Sequence, residues 1–143
     1  MRRLQEIFSG WMAALFPPKT LGRRGEDAAA RYLRRRGYRI IARGSRGRLG
    51  EIDLVCLDHG TIVFVEVKTR TSSEAGHPVE AVTARKQRHV TRTAVALLKR
   101  HHLLESPARF DVVGVTWPDG RRRPLIEHFP NAFEAAGQDE FYS

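Results

Sequence analysis

The chain has 143 residues, the size of one domain, and 41% of them are hydrophobic, enough for a core. No run of about 18 apolar residues exists, which excludes a membrane-spanning helix, and the single cysteine, Cys56, excludes an intrachain disulfide and a CxxC zinc pattern. The formal net charge is +9, so the partners to consider are nucleic acid or an anionic membrane surface.

The first 18 residues read as an extension. Leu4, Ile7, Phe8, Trp11, Met12, Leu15 and Phe16 recur at helical spacing, which predicts a strongly amphipathic helix that Pro17-Pro18 ends. Gln5 and Glu6 interrupt any secretory apolar stretch, and no small-residue cleavage site follows. Such a helix can dock on the body or on a second copy of the chain; the alternative is an interfacial membrane anchor.

Residues 19–143 form the expected domain. Thr20 is placed to cap a helix over Leu21–Arg36, and Gly37 is a natural stop. Tyr38–Ala42 reads as a strand and Gly44–Gly50 as a flexible basic loop. Glu51–Leu57 and Thr61–Thr69 are strands rich in Val and Ile, joined by a short turn at Asp58-His59-Gly60. After a polar loop, Glu80–His101 is helical, in one piece or two, with Thr83 able to cap the longer. Arg109–Thr116 is a strand, Pro118-Asp119-Gly120 a turn, and Leu125–Phe129 a last strand. The order αβββαββ describes an α/β domain with helices on both faces of one sheet.

The basic charge is clustered. Lys19 to Arg48 holds eleven Lys and Arg against Glu26 and Asp27, and Arg85 to His102 holds six with no acid. Arginine dominates, which suits bidentate phosphate contact. Solvated helix faces in a generally basic protein are the plainer explanation.

The hairpin carries the chemistry. With His59 and Gly60 as its central turn residues, Asp53 faces Glu66, Glu51 faces Lys68, Ile52 faces Val67, and Leu54 faces Val65. Side-chain alternation then puts Glu51, Asp53, Glu66 and Lys68 on one face, continued toward the turn by Val55, Leu57, Ile62 and Phe64. The other face is wholly apolar. Two opposed carboxylates repel unless a cation intervenes. A hard divalent cation accepts one or two carboxylates and keeps waters for substrate phosphate. A lysine on the same face can hold or help deprotonate the attacking water. These parts suit phosphodiester hydrolysis; a cross-strand network of ordinary ion pairs is the structural alternative. The six histidines show no HExxH spacing and no GxxxxGK[ST] occurs, which argues against a zinc site and a P-loop.

The segments Gly25-Glu26, Gly50-Glu51-Ile52-Asp53-Leu54, Val63–Arg70 and Arg109–Val113 resemble the YraN-type uncharacterised protein family, from about Gly22 to the Asn131-Ala132-Phe133 ending. That family is similar to the PD-(D/E)XK nucleases, which include archaeal Holliday-junction resolvases. The resemblance implies a restriction-endonuclease-like mixed sheet flanked by helices. It implies Asp53, Glu66 and Lys68 as the core catalytic motif, with Glu26 completing the metal site from the first helix. Glu51 belongs to the family pattern without a settled role and is a supporting candidate. Gly44 stands where the family usually has Asn, while the following Arg survives as Arg46.

The expected activity is that of a cytoplasmic, Mg²⁺- or Mn²⁺-dependent endonuclease on DNA, branched or structured. Asp53 and Glu66 would hold the metal, with the Val67 carbonyl as a further ligand. Arg23, Arg24, Arg46 and Arg70 would follow the nucleic-acid backbone. Gln87 is a further contact candidate, although a solvated helix face suits it as well. Asp111 is expected to pair with Arg109 or Arg46 in a structural role. Many resolvase-like nucleases work as dimers, so a homodimer is one assembly that analogy offers, while the sequence itself does not give the oligomeric state. The rival expectations are a nucleic-acid-binding protein that keeps the fold without catalysis, and a scaffold or membrane-associated protein that uses residues 1–18.

Overall fold

A computed structural model describes residues 20–44, 52–71, 76–118 and 121–135. The amphipathic helix expected over residues 1–18, the positions Arg46 and Glu51, and most of the turn at Pro118-Asp119-Gly120 lie outside the described residues.

Helix α1 spans Leu21–Arg35. Thr20 caps it, its hydroxyl accepting the Arg23 N–H at 3.2 Å. At the other end Gly37 adopts φ +90°, and the N–H groups of Gly37 and Tyr38 return to the carbonyls of Arg34 and Leu33. This pair of bonds is a Schellman stop, and it needs the left-handed residue that glycine supplies. The buried stripe is Ala28, Ala29, Ala30 and Leu33, small enough for the helix to lie close to the sheet.

Five strands follow: β1 (Arg39–Arg43), β2 (Leu54–Asp58), β3 (Thr61–Arg70), β4 (Ala108–Thr116) and β5 (Leu125–Phe133). Helix α2 (Ala84–Arg100), capped by Thr83, lies between β3 and β4. The sheet order is β1-β2-β3-β4-β5. Only β3 and β4 run parallel, as a crossover through a helix allows. The β2–β3 register is the expected one, from Leu54 opposite Val65 to Asp58 opposite Thr61. His59 and Gly60, at φ 47° and 85°, make the two-residue turn that fixes it.

Alternation sorts the strands onto two helices. Leu54, Cys56, Val63, Val65, Val113 and Val115 pack with Ala28–Ala30 and Leu33 of α1. Val55, Ile62, Phe64, Phe110, Val112 and Phe133 pack with Val82, Val90 and Ala94 on the α2 side. The fold is therefore α/β, a mixed central sheet with a helix on each face in the order αβββαββ, the restriction-endonuclease-like arrangement expected. No helix among the described residues is long and apolar enough to cross a membrane.

Three boundaries differ from expectation by more than one residue. Strand β2 starts at Leu54, three residues later than expected, because the chain bends at Asp53. Ile52, only 1% exposed, consequently joins Val55 in the α2-side core instead of the α1-side face of Leu54. Residues 78–82 form turns, so the second helix is one piece from Ala84. Strand β5 continues past Pro130 to Phe133. Proline is tolerated on an edge strand, and the ladder there is irregular: Phe129 pairs with Val112 and Phe133 with Phe110. Asn131, at φ 50°, turns its N–H to the Asp111 carboxylate (2.9 Å) at this irregularity.

Candidate functional site

The site forms where the chain enters β2. Asp53 Oδ2 accepts the Val67 N–H at 2.8 Å, so a side chain takes a backbone donor of β3 just past the last β2–β3 pair. Its own carbonyl accepts the Gly44 N–H at 2.8 Å from the chain leaving β1. A Cβ at Gly44 would fall 1.8 Å from the Ile52 carbonyl oxygen, so only glycine permits this approach. Gly44 thus has a local steric reason in this chain.

Glu66 lies on the α2 side of β3 and is 1% exposed. Its Oε2 is 3.8 Å from Lys86 Nζ, and its Oε1 is buried without a hydrogen-bond partner among the described residues. Lys68, two positions on along β3, is half-buried. Glu26 arrives from the opposite face. Gly25 lets α1 touch β3, since a Cβ there would fall 1.8 Å from Thr69 Oγ1. The next residue is thereby carried to Asp53, with which Glu26 shares a hydrogen bond. Glu26 Oε2 also has no partner among the described residues.

The electrostatics follow from burial. Desolvation raises the Glu66 carboxyl, the nearby Asp53 charge raises it further, and Lys86 and Lys68 only partly oppose this, leaving it at about 8. Asp53 is also raised by burial, against the Val67 N–H, Lys86 and Lys68. Glu26 is raised by burial and by Asp53, with Arg43 opposing. Three crowded acids, two with unpartnered buried oxygens, suit a hard cation. No cluster of three His, Cys, Asp or Glu side chains among the described residues is in metal-holding geometry. Two of these acids, Asp53 and Glu66, could hold Mg²⁺ with the remaining positions left to water or a backbone carbonyl.

The expected contact residues divide. Arg23 and Arg24 are exposed in the first turn of α1, and the Arg24 guanidinium lies over the Trp117 ring at 4.8 Å. Arg70 donates from Nη1 to the Gly76 carbonyl, while its Nη2 is buried without a hydrogen-bond partner among the described residues. Gln87 Nε2 donates to the Val82 carbonyl at 3.0 Å. The half-buried side chain is thereby tied to the turn before α2. Asp111, 0% exposed, has the structural role expected: Arg109 Nε at 3.0 Å, His128 Nε2 at 2.8 Å and the Asn131 N–H hold it.

Lys86 was not among the sequence candidates. Its signal lies in topology. A helix that returns between parallel β3 and β4 begins at the end of the sheet where β3 finishes, so the first turn after the Thr83 cap stands beside Glu66 and Lys68. The Thr83 hydroxyl accepts the Lys86 N–H at 3.2 Å and fixes that turn.

The sequence model of the uncharacterised protein family UPF0102 matches residues 25–115, the stretch from Gly25 through β4. A UPF0102 protein of Rhodopirellula baltica is 50% identical over 125 residues, covering 85% of this chain and 75% of the relative. A UPF0102 protein of Geobacter metallireducens is 50% identical over 118 residues (82% and 95%). One of Geobacter sulfurreducens is 52% identical over 120 residues (82% and 91%). With most of its length matched at about half identity, the chain belongs to the UPF0102 family, the YraN-type family that its motifs resemble.

Proposed function

We propose that this protein is a metal-dependent endonuclease that hydrolyses phosphodiester bonds of DNA, with branched or structured DNA as the substrate class. The observation that carries the reading is the pair formed by half-buried Asp53 and buried Glu66, with lysines beside it and an unpartnered oxygen on Glu66.

Asp53 and Glu66 would hold Mg²⁺ or Mn²⁺, with the Val67 carbonyl as a further donor. The ion, when bound, supplies charge stabilisation for the phosphoryl oxygens. Asp53 is oriented by the Val67 N–H and by Glu26. Lys68 orients the attacking water and offers a positive charge where negative charge develops. Arg23 and Arg24 stand in the first turn of the helix that delivers Glu26, where they can meet the backbone of a bound strand. Arg46 and Glu51 keep the roles expected of them, a backbone contact and a supporting acid.

The test is cleavage of duplex, flap and four-way-junction DNA with Mg²⁺ or Mn²⁺. Asp53→Ala and Lys68→Ala should each lower the rate by about 100-fold or more. Cleavage that survives both changes removes the assignment.

A second reading has its own support: Lys86 stands 3.8 Å from Glu66 and partly offsets the acidic charge without a metal. On that reading the chain binds nucleic acid and does not cut it. It predicts DNA binding that weakens steeply with salt and no cleavage with any divalent ion.

A further inference from the structure

A cleft of about 480 Å³ opens on the α1 side of the sheet, between the helix and the segment that leads into β5. Among the described residues, Arg24, Arg31 and Arg35 line one wall and Arg122 and Arg123 the other. The first three recur along one face of α1, and all five are exposed. Asp27 also lines the cleft, but Arg43 pairs with its carboxylate. The cleft therefore carries a net positive charge.

The cleft also has an aromatic side. Trp117 and Tyr32 line it. Arg24 lies over the indole at 4.8 Å, and Arg36, outside the cleft lining, lies over the phenol ring at 4.7 Å. The indole Nε1 is buried without a hydrogen-bond partner among the described residues. The cleft is tied to the acidic cluster at one end. The Trp117 N–H donates to the Arg70 carbonyl at 2.9 Å, two residues past Lys68, and Arg24 is two residues before Glu26. From Arg24 to Arg35 the helix advances about 16 Å.

We infer that this cleft is a track for an unpaired strand of nucleic acid leading away from the Asp53–Glu66 site. The phosphates lie along the arginines, and a base reaches Trp117 or Tyr32. The inference rests on the nucleic-acid reading above and narrows it to a substrate with a single-stranded arm. A positive groove interleaved with aromatic rings is how single strands are held without sequence preference. A duplex would leave the aromatic side of the cleft unused.

The test is binding of a fluorescent single strand of about 12 nucleotides to the full chain in EDTA, so that cleavage plays no part. Arg31→Ala/Arg122→Ala/Arg123→Ala is compared with Arg92→Ala/Lys99→Ala/Arg100→Ala, which removes the same charge from α2. The first triple should weaken binding about tenfold or more and lower the salt slope by about 2, at roughly 0.7 per phosphate contact. The second should change neither. Equal loss in both triples overturns the track, because net charge alone then explains binding. Equal loss for single strand and duplex overturns the unpaired-strand assignment. Unchanged strand binding with lost binding to phosphatidylserine vesicles also overturns it and makes the face a membrane surface. The two readings fail separately. Cleavage with an inert first triple removes only the track, and strand binding on the track without cleavage removes only the nuclease.

Discussion

The Asp53 carboxylate stands to the Val67 backbone as one strand stands to the next: its Oδ2 accepts the Val67 N–H at 2.8 Å. That donor lies between Glu66 and Lys68, so one bond both closes the end of the hairpin and aims Asp53 at the two residues it would work with. Asp53→Ala should therefore strand a half-buried N–H and cost about 1–3 kcal/mol of stability. Asp53→Asn keeps an acceptor at that place and should fold close to wild type while losing divalent-ion binding. Urea unfolding and Mn²⁺ titration of the two variants check this. Equal destabilisation by Asn and Ala would show that the bond to Val67 does not matter.

Glu66 makes stability depend on pH. Burial, then Asp53, hold its carboxyl up at about 8, against an ordinary value of 4.5. The folded chain thus holds the proton more tightly than the unfolded one, and ionisation works against folding. Stability of the metal-free protein should fall as pH rises from about 4.5 through about 8. Glu66→Gln should flatten that fall and raise stability at the alkaline end by on the order of 2 kcal/mol, near 5 °C in Tm. Mg²⁺ should stabilise the wild type and not the variant. Thermal melts across the window, with and without Mg²⁺, read all three effects. A Gln variant less stable than wild type at high pH would contradict the account.

Gly25 sets the distance between α1 and β3. An added Cβ would lie 1.8 Å from Thr69 Oγ1 and 2.9 Å from Thr69 Cβ and Cγ2. Gly25→Ala should cost about 2–3 kcal/mol and push Glu26 away from Asp53. Thr69→Ala removes two of the three clashing atoms, so the double variant should recover part of the loss. A Gly25→Ala protein as stable as wild type would mean that the helix is not seated by this contact.

Asp111 anchors the far side of the sheet. Burial would raise its carboxyl, but hydrogen bonds from His128, Arg109 and the Asn131 N–H outweigh it and hold the group below its ordinary value of 3.8. Its contribution is present above that value and lost as pH falls below it. Asp111→Ala leaves Arg109 and His128 without their shared partner and should cost about 3–5 kcal/mol. Chemical denaturation of the variant measures it. A loss under about 1 kcal/mol would place Asp111 outside the framework.

The hairpin was legible because two residues decide its register. His59 and Gly60 can both take positive φ, and Val and Ile on either side leave little freedom to slip. The helix ends were legible for similar local reasons, Thr20, Gly37 and Thr83. The bend at Asp53 was not, because the Gly44 N–H that meets the Asp53 carbonyl comes from the end of another strand and leaves no periodic signal. Period-two alternation assigned Ile52 to the wrong face for the same reason. Lys86 was hidden in a run of basic residues, where charge gives no direction; only the crossover brings it to Glu66. The extension of β5 past Pro130 was lost because its irregular pairing depends on the Asp111 carboxylate, one strand away.

The central claim is that Asp53 and Glu66 form one divalent-ion site. Crystals soaked in Mn²⁺ and measured at the manganese absorption edge test it most directly. The account predicts a single anomalous peak between the two carboxylates, with Lys86 withdrawn from Glu66. No peak there, with the Lys86 ammonium bridging both acids, would contradict it.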